Sequence, residues 1–319
     1  MMIAPRPLGM RLLVAVILVL LPASAAALDG LLKSLFSDGN WRPMLLPMVV
    51  IYYIWIVSPI VDRGQAAVVA GFRPITQLDD ETFAQIVAKA GHTSPLGEGL
   101  ALLIGAAAGI FIGSTGVQGP DIFWLRWYWL AANALMFALL GWTIFGSIHS
   151  TRLSAVLQRQ PLHFDLFDLH PFEPIGRQSL VLALVFIGGL VLAMLFGLSA
   201  ENIRMWQTWL FYIPLALMAV LLFFLNMRGT HAVLAGEKRR LLSLVSARIR
   251  QITPSLEQSV VSNQPLPEQA AEFSTLSAYE ARLNSARTWP YNTSMLRTLA
   301  FTILLPLVIR LITLLLFEN

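Results

Sequence analysis

Residues 179 to 198 read Ser-Leu-Val-Leu-Ala-Leu-Val-Phe-Ile-Gly-Gly-Leu-Val-Leu-Ala-Met-Leu-Phe-Gly-Leu, without one charged side chain. At about 1.5 Å per residue, a helix of this length rises about 30 Å, the thickness of bilayer hydrocarbon. Pro174 and Arg177 precede the run, and Glu201 and Arg204 follow it. Six further stretches repeat the pattern: Leu8 to Leu28, Met44 to Val61, Gly99 to Thr115, Arg126 to Ile148, Trp206 to Met227 and Thr298 to Phe317, each bounded by Pro, Gly or charge. The expectation is an all-α polytopic membrane protein with six or seven transmembrane helices plus a cytoplasmic helical hairpin.

Composition points the same way. Of 319 residues, 56% are hydrophobic and 13% charged, and the mean hydropathy is +0.68, more apolar surface than one soluble core of this length needs to bury. The absence of cysteine from the sequence removes disulfides, thiolate metal sites, cysteine nucleophiles and palmitoylation. The net charge of +4 reads as membrane orientation and contact with anionic lipid, not as nucleic-acid binding.

The first stretch has two readings. Arg6 and Arg11 precede the apolar Leu12 to Leu21, and Pro22-Ala-Ser-Ala-Ala-Ala27 offers small residues in an Ala-x-Ala pattern, so residues 1–28 form either a cleavable signal peptide or a retained signal anchor. Entering with its N-terminus in the cytoplasm, the chain alternates so that of 22 Lys and Arg, Lys33, Arg42, Arg126 and Arg204 fall outside and Arg310 within the last span. The other 17 fall inside, which puts the basic loops in the cytoplasm and the C-terminus outside a bacterial-type inner membrane. Residues 44–227 then hold transmembrane helices joined on the inside by segments 62–98 and 149–178, residues 228–297 form the cytoplasmic hairpin, and residues 298–319 form the last transmembrane helix and the outer terminus. Trp41, Tyr52, Tyr53, Trp55, Trp124, Trp127, Tyr128, Trp129, Trp206 and Trp209 sit near span ends as interfacial anchors.

Within 62–98, Asp79-Asp80-Glu81 predicts the capped start of a short amphipathic helix that carries Phe83, Ile86 and Val87 and ends at Gly91, lying on the membrane or the bundle surface. In the hairpin, Leu234, Leu241, Val245, Ile249 and Ile252 share one face, and Phe273, Leu276, Tyr279 (or Glu280) and Leu283 repeat it after a Pro254 to Pro267 turn region.

Few residues carry chemistry. His163, Asp165, Asp168 and His170 offer a metal donor set of N and O atoms, but three prolines and alternating apolar residues across 161–177 favour an interfacial loop whose carboxylates cap helices or meet Arg152, Arg159 and Arg177. Arg310 is the one charge well inside a span, a candidate for an anionic substrate or a structural charge pairing with Asp121 or Glu201. Gly105, Gly109 and Gly113 form a repeated GxxxG at which another helix backbone approaches. Asn133, Thr143, Thr302 and Thr313 are the other mid-span polar groups, and no carboxylate joins them.

No nucleophile elbow, zincin motif or phosphate loop stands in context, and no cofactor is implied. The reading is a non-enzymatic accessory, scaffolding or assembly component, with the lipid bilayer and a second protein as partners. Two alternatives stand beside it: a small-solute or lipid transporter using Arg310, and a cytoplasmic-facing metal-dependent enzyme.

Overall fold

The computed structural model describes residues 8–33, 41–114, 122–197, 206–262 and 267–289, together with 294–295, 297–298, 300–302, 304 and 308. Nearly all of the described residues are helical, and their one extended pairing is an isolated antiparallel bridge between Thr76 and Leu162. In chain order the helices are α1 (Leu8–Leu28), α2 (Trp41–Phe72), α3 (Asp80–Gly91), α4 (Pro95–Ser114), α5 (Trp124–Gln158), α6 (Glu173–Gly197), α7 (Trp206–Ser262) and α8 (Pro267–Ser285).

Six of the seven expected spans are helices long and apolar enough to cross a bilayer; they fall on α1, α2, α4, α5, α6 and α7. Most of Thr298 to Phe317, Arg310 included, lies outside the described residues. The helices do not stop where their apolar cores stop. α2 continues to Phe72, α5 runs ten residues past Ile148 to Gln158, and α7 is one helix of 57 residues, about 85 Å long. The 149–178 connection therefore shrinks to residues 159–172. Backbone hydrogen bonding propagates as readily beyond hydrocarbon as within it, so helix ends are set by stop residues such as Pro161.

Consecutive long helices run antiparallel, so the chain meets two opposite ends. At the far end, α1 closes with paired backbone bonds, Leu31 N–H to the Ala26 carbonyl (2.8 Å) and Gly30 N–H to the Ala27 carbonyl (3.1 Å). Gly30 supplies the left-handed residue this closure requires, at φ 70°. The Asp29 carboxylate then accepts from the backbone N–H groups of Trp124 (3.1 Å) and Leu125 (2.7 Å), capping α5 from another part of the chain. Ala25 and Ala26 are buried there with Met44 and Leu125.

Between the ends the helices meet through small residues and hydrogen bonds. In hydrocarbon, leucine gains nothing by leaving lipid for protein, so close backbone approach and interhelical donors take over. A Cβ placed on Gly105 or Gly109 would collide with the backbone of α5 at Phe137 and Asn133, and one on Gly113 would lie 3.3 Å from the Asn133 side chain. Gly141 reciprocates, with the Ala101 carbonyl 2.6 Å from its Cβ position. α4 packs along its length on α5 in this way.

Four tyrosine hydroxyls donate across helices: Tyr53 to the Val185 carbonyl (2.9 Å), Tyr212 to Ala193 (3.0 Å), Tyr128 to Met44 (2.9 Å) and Tyr52 to Arg11 (3.2 Å). Three of the aromatics read as interfacial anchors are thus also interhelical bolts.

Candidate functional site

At the other end, α3, the 159–172 loop, α8 and the second half of α7 assemble a head with a core of its own. Phe72, Leu153, Leu157, Phe172, Ile175, Leu234 and Leu283 are fully buried there, joined by Val68, Ile75, Phe83, Leu166 and Val245. This core is aromatic and aliphatic, the composition expected where water drives burial at roughly 1.5–3 kcal/mol per large side chain.

α3 begins as its sequence dictates. The Asp79 carboxylate accepts from the Thr82 N–H at 2.9 Å, and Asp80 pairs with Arg73. Phe83, Ile86 and Val87 turn into the head core, so the amphipathic face of α3 is spent on the head itself.

The loop follows the same rule. Leu166 and Phe172 are buried in the core and Phe164 packs edge-on against Phe172 at 5.0 Å, so the residues alternating with them face outward. His163, Asp165, Asp168 and His170 are all exposed. Their carboxylates close local turns: Asp165 accepts from the Phe167 N–H and Asp168 from the His170 N–H, both at 3.0 Å. Among the described residues no three His, Asp or Glu side chains gather as a metal site, and Arg152, Arg159 and Arg177 form no ion pair. The loop is tied to the turn after α2, with His163 N–H donating to the Ile75 carbonyl (2.7 Å) and Gln77 N–H to the Pro161 carbonyl (3.1 Å).

α7 and α8 lie antiparallel over this base. Arg248 pairs with Glu272 at 2.7 Å and Ser246 donates to Glu280 at 3.0 Å. Lys238 reaches the carbonyls of Asn284 (2.8 Å) and Ala286 (3.0 Å), closing the C-terminal end of α8 with a cation. His231 donates to the Thr288 carbonyl (3.2 Å) and stacks on Trp289 with ring centroids 4.1 Å apart. The hairpin also grips the loop, because the Arg282 guanidinium sits 4.2 Å over the Phe167 ring and the Tyr279 ring meets Phe167 edge-on at 6.1 Å. The two surfaces read separately from sequence, hairpin and loop, are one body.

Two glutamines join head to bundle, and neither was singled out from sequence. Gln178 on α6 is 1% exposed, fills a notch over Gly64 of α2 and donates to the Val61 carbonyl at 3.3 Å. Gln158 on α5 fills a notch over Gly229 of α7 and donates to Thr230 at 2.8 Å. Spacing alone does not reveal such a pair, since each glycine lies far in sequence from the glutamine it admits.

What remains outward on the head is a ridge of α7. Leu244 is 57% exposed and lies between Arg240 and Arg248 at helical spacing, Arg239 and Arg250 are exposed further round the helix, and Val261 is 88% exposed towards the tip. No ion pair occupies Arg239 or Arg250 among the described residues.

The fold and this head define a class: a protein whose described residues are almost wholly helical, with six helices among them fit to cross a membrane and a helical head at one end. No protein-family model matches the chain, and no curated protein or solved structure shows similarity to it.

Proposed function

We propose that this is a multi-pass protein of a bacterial-type inner membrane that works as a non-enzymatic accessory or assembly component, holding a partner protein on its cytoplasmic head. The membrane reading is supported by the belt of apolar side chains left bare around the helices, such as Leu103 (68%), Phe111 (76%) and Leu195 (66%), which water would not tolerate over so large an area. The sequence count of 17 basic residues in the segments read as inside, against four in those read as outside, supports a cytoplasmic head.

The observation that carries the partner reading is the α7 ridge. The head buries its own amphipathic faces, yet leaves Leu244 and Val261 exposed on α7; Arg240 and Arg248 pair with Glu237 and Glu272, while Arg239 and Arg250 form no ion pair among the described residues. Such a ridge fits a protein surface with an apolar centre and an acidic rim.

The test uses the full chain in its native membrane. A protein recovered in fixed proportion with the wild type is expected to be lost from Leu244→Asp/Arg239→Glu/Arg250→Glu at unchanged thermal stability. Because the sequence has no cysteine, a single cysteine at Glu257 is expected to react with an impermeant maleimide only from the cytoplasmic side. A monodisperse lone protein from the wild type, or labelling from the other side, would overturn the reading.

A further inference from the structure

A cavity of 570 Å³ lies inside the bundle, away from the head, walled by α2, α4, α5, α6 and α7. We propose that it holds one acyl chain of an ester lipid from the leaflet at the far end of the bundle, with the ester carbonyl accepting a hydrogen bond from Trp129. This reading is independent of the head and its partner.

Three observations carry it. The cavity is within the roughly 300–1,000 Å³ range of ligand sites, large enough for one acyl chain.

Among the described residues lining it there is no Asp, Glu, Lys, Arg or His, so nothing offsets a carboxylate, phosphate or ammonium. The part of the ligand inside is neutral and apolar.

The lining polar groups are nearly all spent on the protein. Tyr53 and Tyr212 donate to the Val185 and Ala193 carbonyls, Thr143 to the Leu139 carbonyl (2.7 Å), and the Asn133 amide to the Trp129 carbonyl (2.9 Å). The Trp129 indole N–H, by contrast, is buried and has no hydrogen-bond partner. A buried donor left unmade is costly, so the occupant supplies an acceptor there.

Trp129 lies in the second turn of α5, at the far end, and the α5 lining continues to Thr143, about 21 Å further along the helix. One leaflet's chain spans about half of the ~30 Å hydrocarbon core, so the cavity accepts its whole length. An acceptor at the headgroup side and a hydrocarbon tail towards the midplane describe an esterified acyl chain; a free fatty acid would bring a charge with no counterpart.

The experiment reconstitutes the full-length protein in vesicles containing phosphatidylethanolamine with a photoactivatable diazirine in one acyl chain, and maps the adducts residue by residue by mass spectrometry. In the wild type, adducts are expected on the lining residues Met136 and Phe186 as well as on the lipid-facing Leu103 and Leu195. A Cβ on Gly189 would lie 3.8 Å from Tyr53 Cε1, an ordinary contact, so Gly189→Leu grows into the cavity. It is expected to cut adducts at Met136 and Phe186 at least tenfold while leaving Leu103 and Leu195 unchanged. Leu215→Trp serves as the second filling variant should Gly189→Leu fail to fold. Trp129→Phe, which keeps a ring and removes the donor, is expected to weaken occupancy about fivefold, the worth of one hydrogen bond.

Lining adducts no more frequent than at the fully buried Phe223 would overturn the proposal and leave the volume to the chain's own residues 298–319. So would lining adducts undiminished in both filling variants, or lining adducts formed by diazirine palmitic acid and not by the phospholipid.

Discussion

Asp79 shows how much one side chain settles at a helix start. Its carboxyl is held below the usual carboxylate range chiefly by the Thr82 N–H that it accepts. A group whose pKa is lower folded than unfolded stabilises the fold above its unfolded value, and that contribution is lost as pH falls through the folded value. The amide hydrogens in the first turn of α3 are therefore expected to lose protection, measured against their intrinsic exchange rate at each pH, as the pH drops below the ordinary carboxylate range. Asp79→Ala is expected to show that loss of protection at neutral pH, at residues 80 to 84 and not in α5. This cap was legible because donor and acceptor lie three residues apart. The caps and bolts formed by Asp29, Tyr53, Tyr212, Gln158 and Gln178 were not, since each joins a residue to a backbone or notch on another helix and no local spacing encodes the meeting.

At the scale of elements, the pairing of α4 with α5 rests on glycine. The repeat at Gly105, Gly109 and Gly113 was legible as a packing face, but its partner was not, because several helices could supply a smooth surface and only the fold selects α5. Gly109→Leu must push two backbones apart. It is expected to cost ~1–3 kcal/mol as overpacking does, read as a lowered midpoint of thermal unfolding in detergent. Gly99→Leu, on the same helix with open space around its Cβ, is expected to change little. The 161–177 segment teaches the converse. Its apolar residues were legible as inward-facing, and the structure sends them beneath the hairpin, while its histidines and aspartates face solvent and close turns.

At the scale of the whole molecule, the first helix bears on the number of crossings. The small residues that resemble a cleavage pattern are helical here, with Ala25 and Ala26 buried, and the following Asp29 caps α5. A peptidase needs that segment extended and accessible. The intact mass of the purified protein is accordingly expected to retain residues 8–28, and a mature chain starting near Leu28 would refute this. Asp29→Ala is expected to loosen the far end while leaving the head unchanged, since the two ends are held by separate cores.

The unbroken length of α7 turns the molecule into a lever. Near the bundle mouth it meets α5 through the Gln158–Thr230 contact, and Ser262 lies 32 residues beyond Thr230, about 48 Å along the same rod. A tilt of about 10° around that fulcrum would sweep the tip sideways by about 8 Å, by the same helix geometry. A load hung on the exposed end of the rod would thus be felt as torque among the spans, and a change in how the spans lean would be delivered, magnified, to whatever the tip carries.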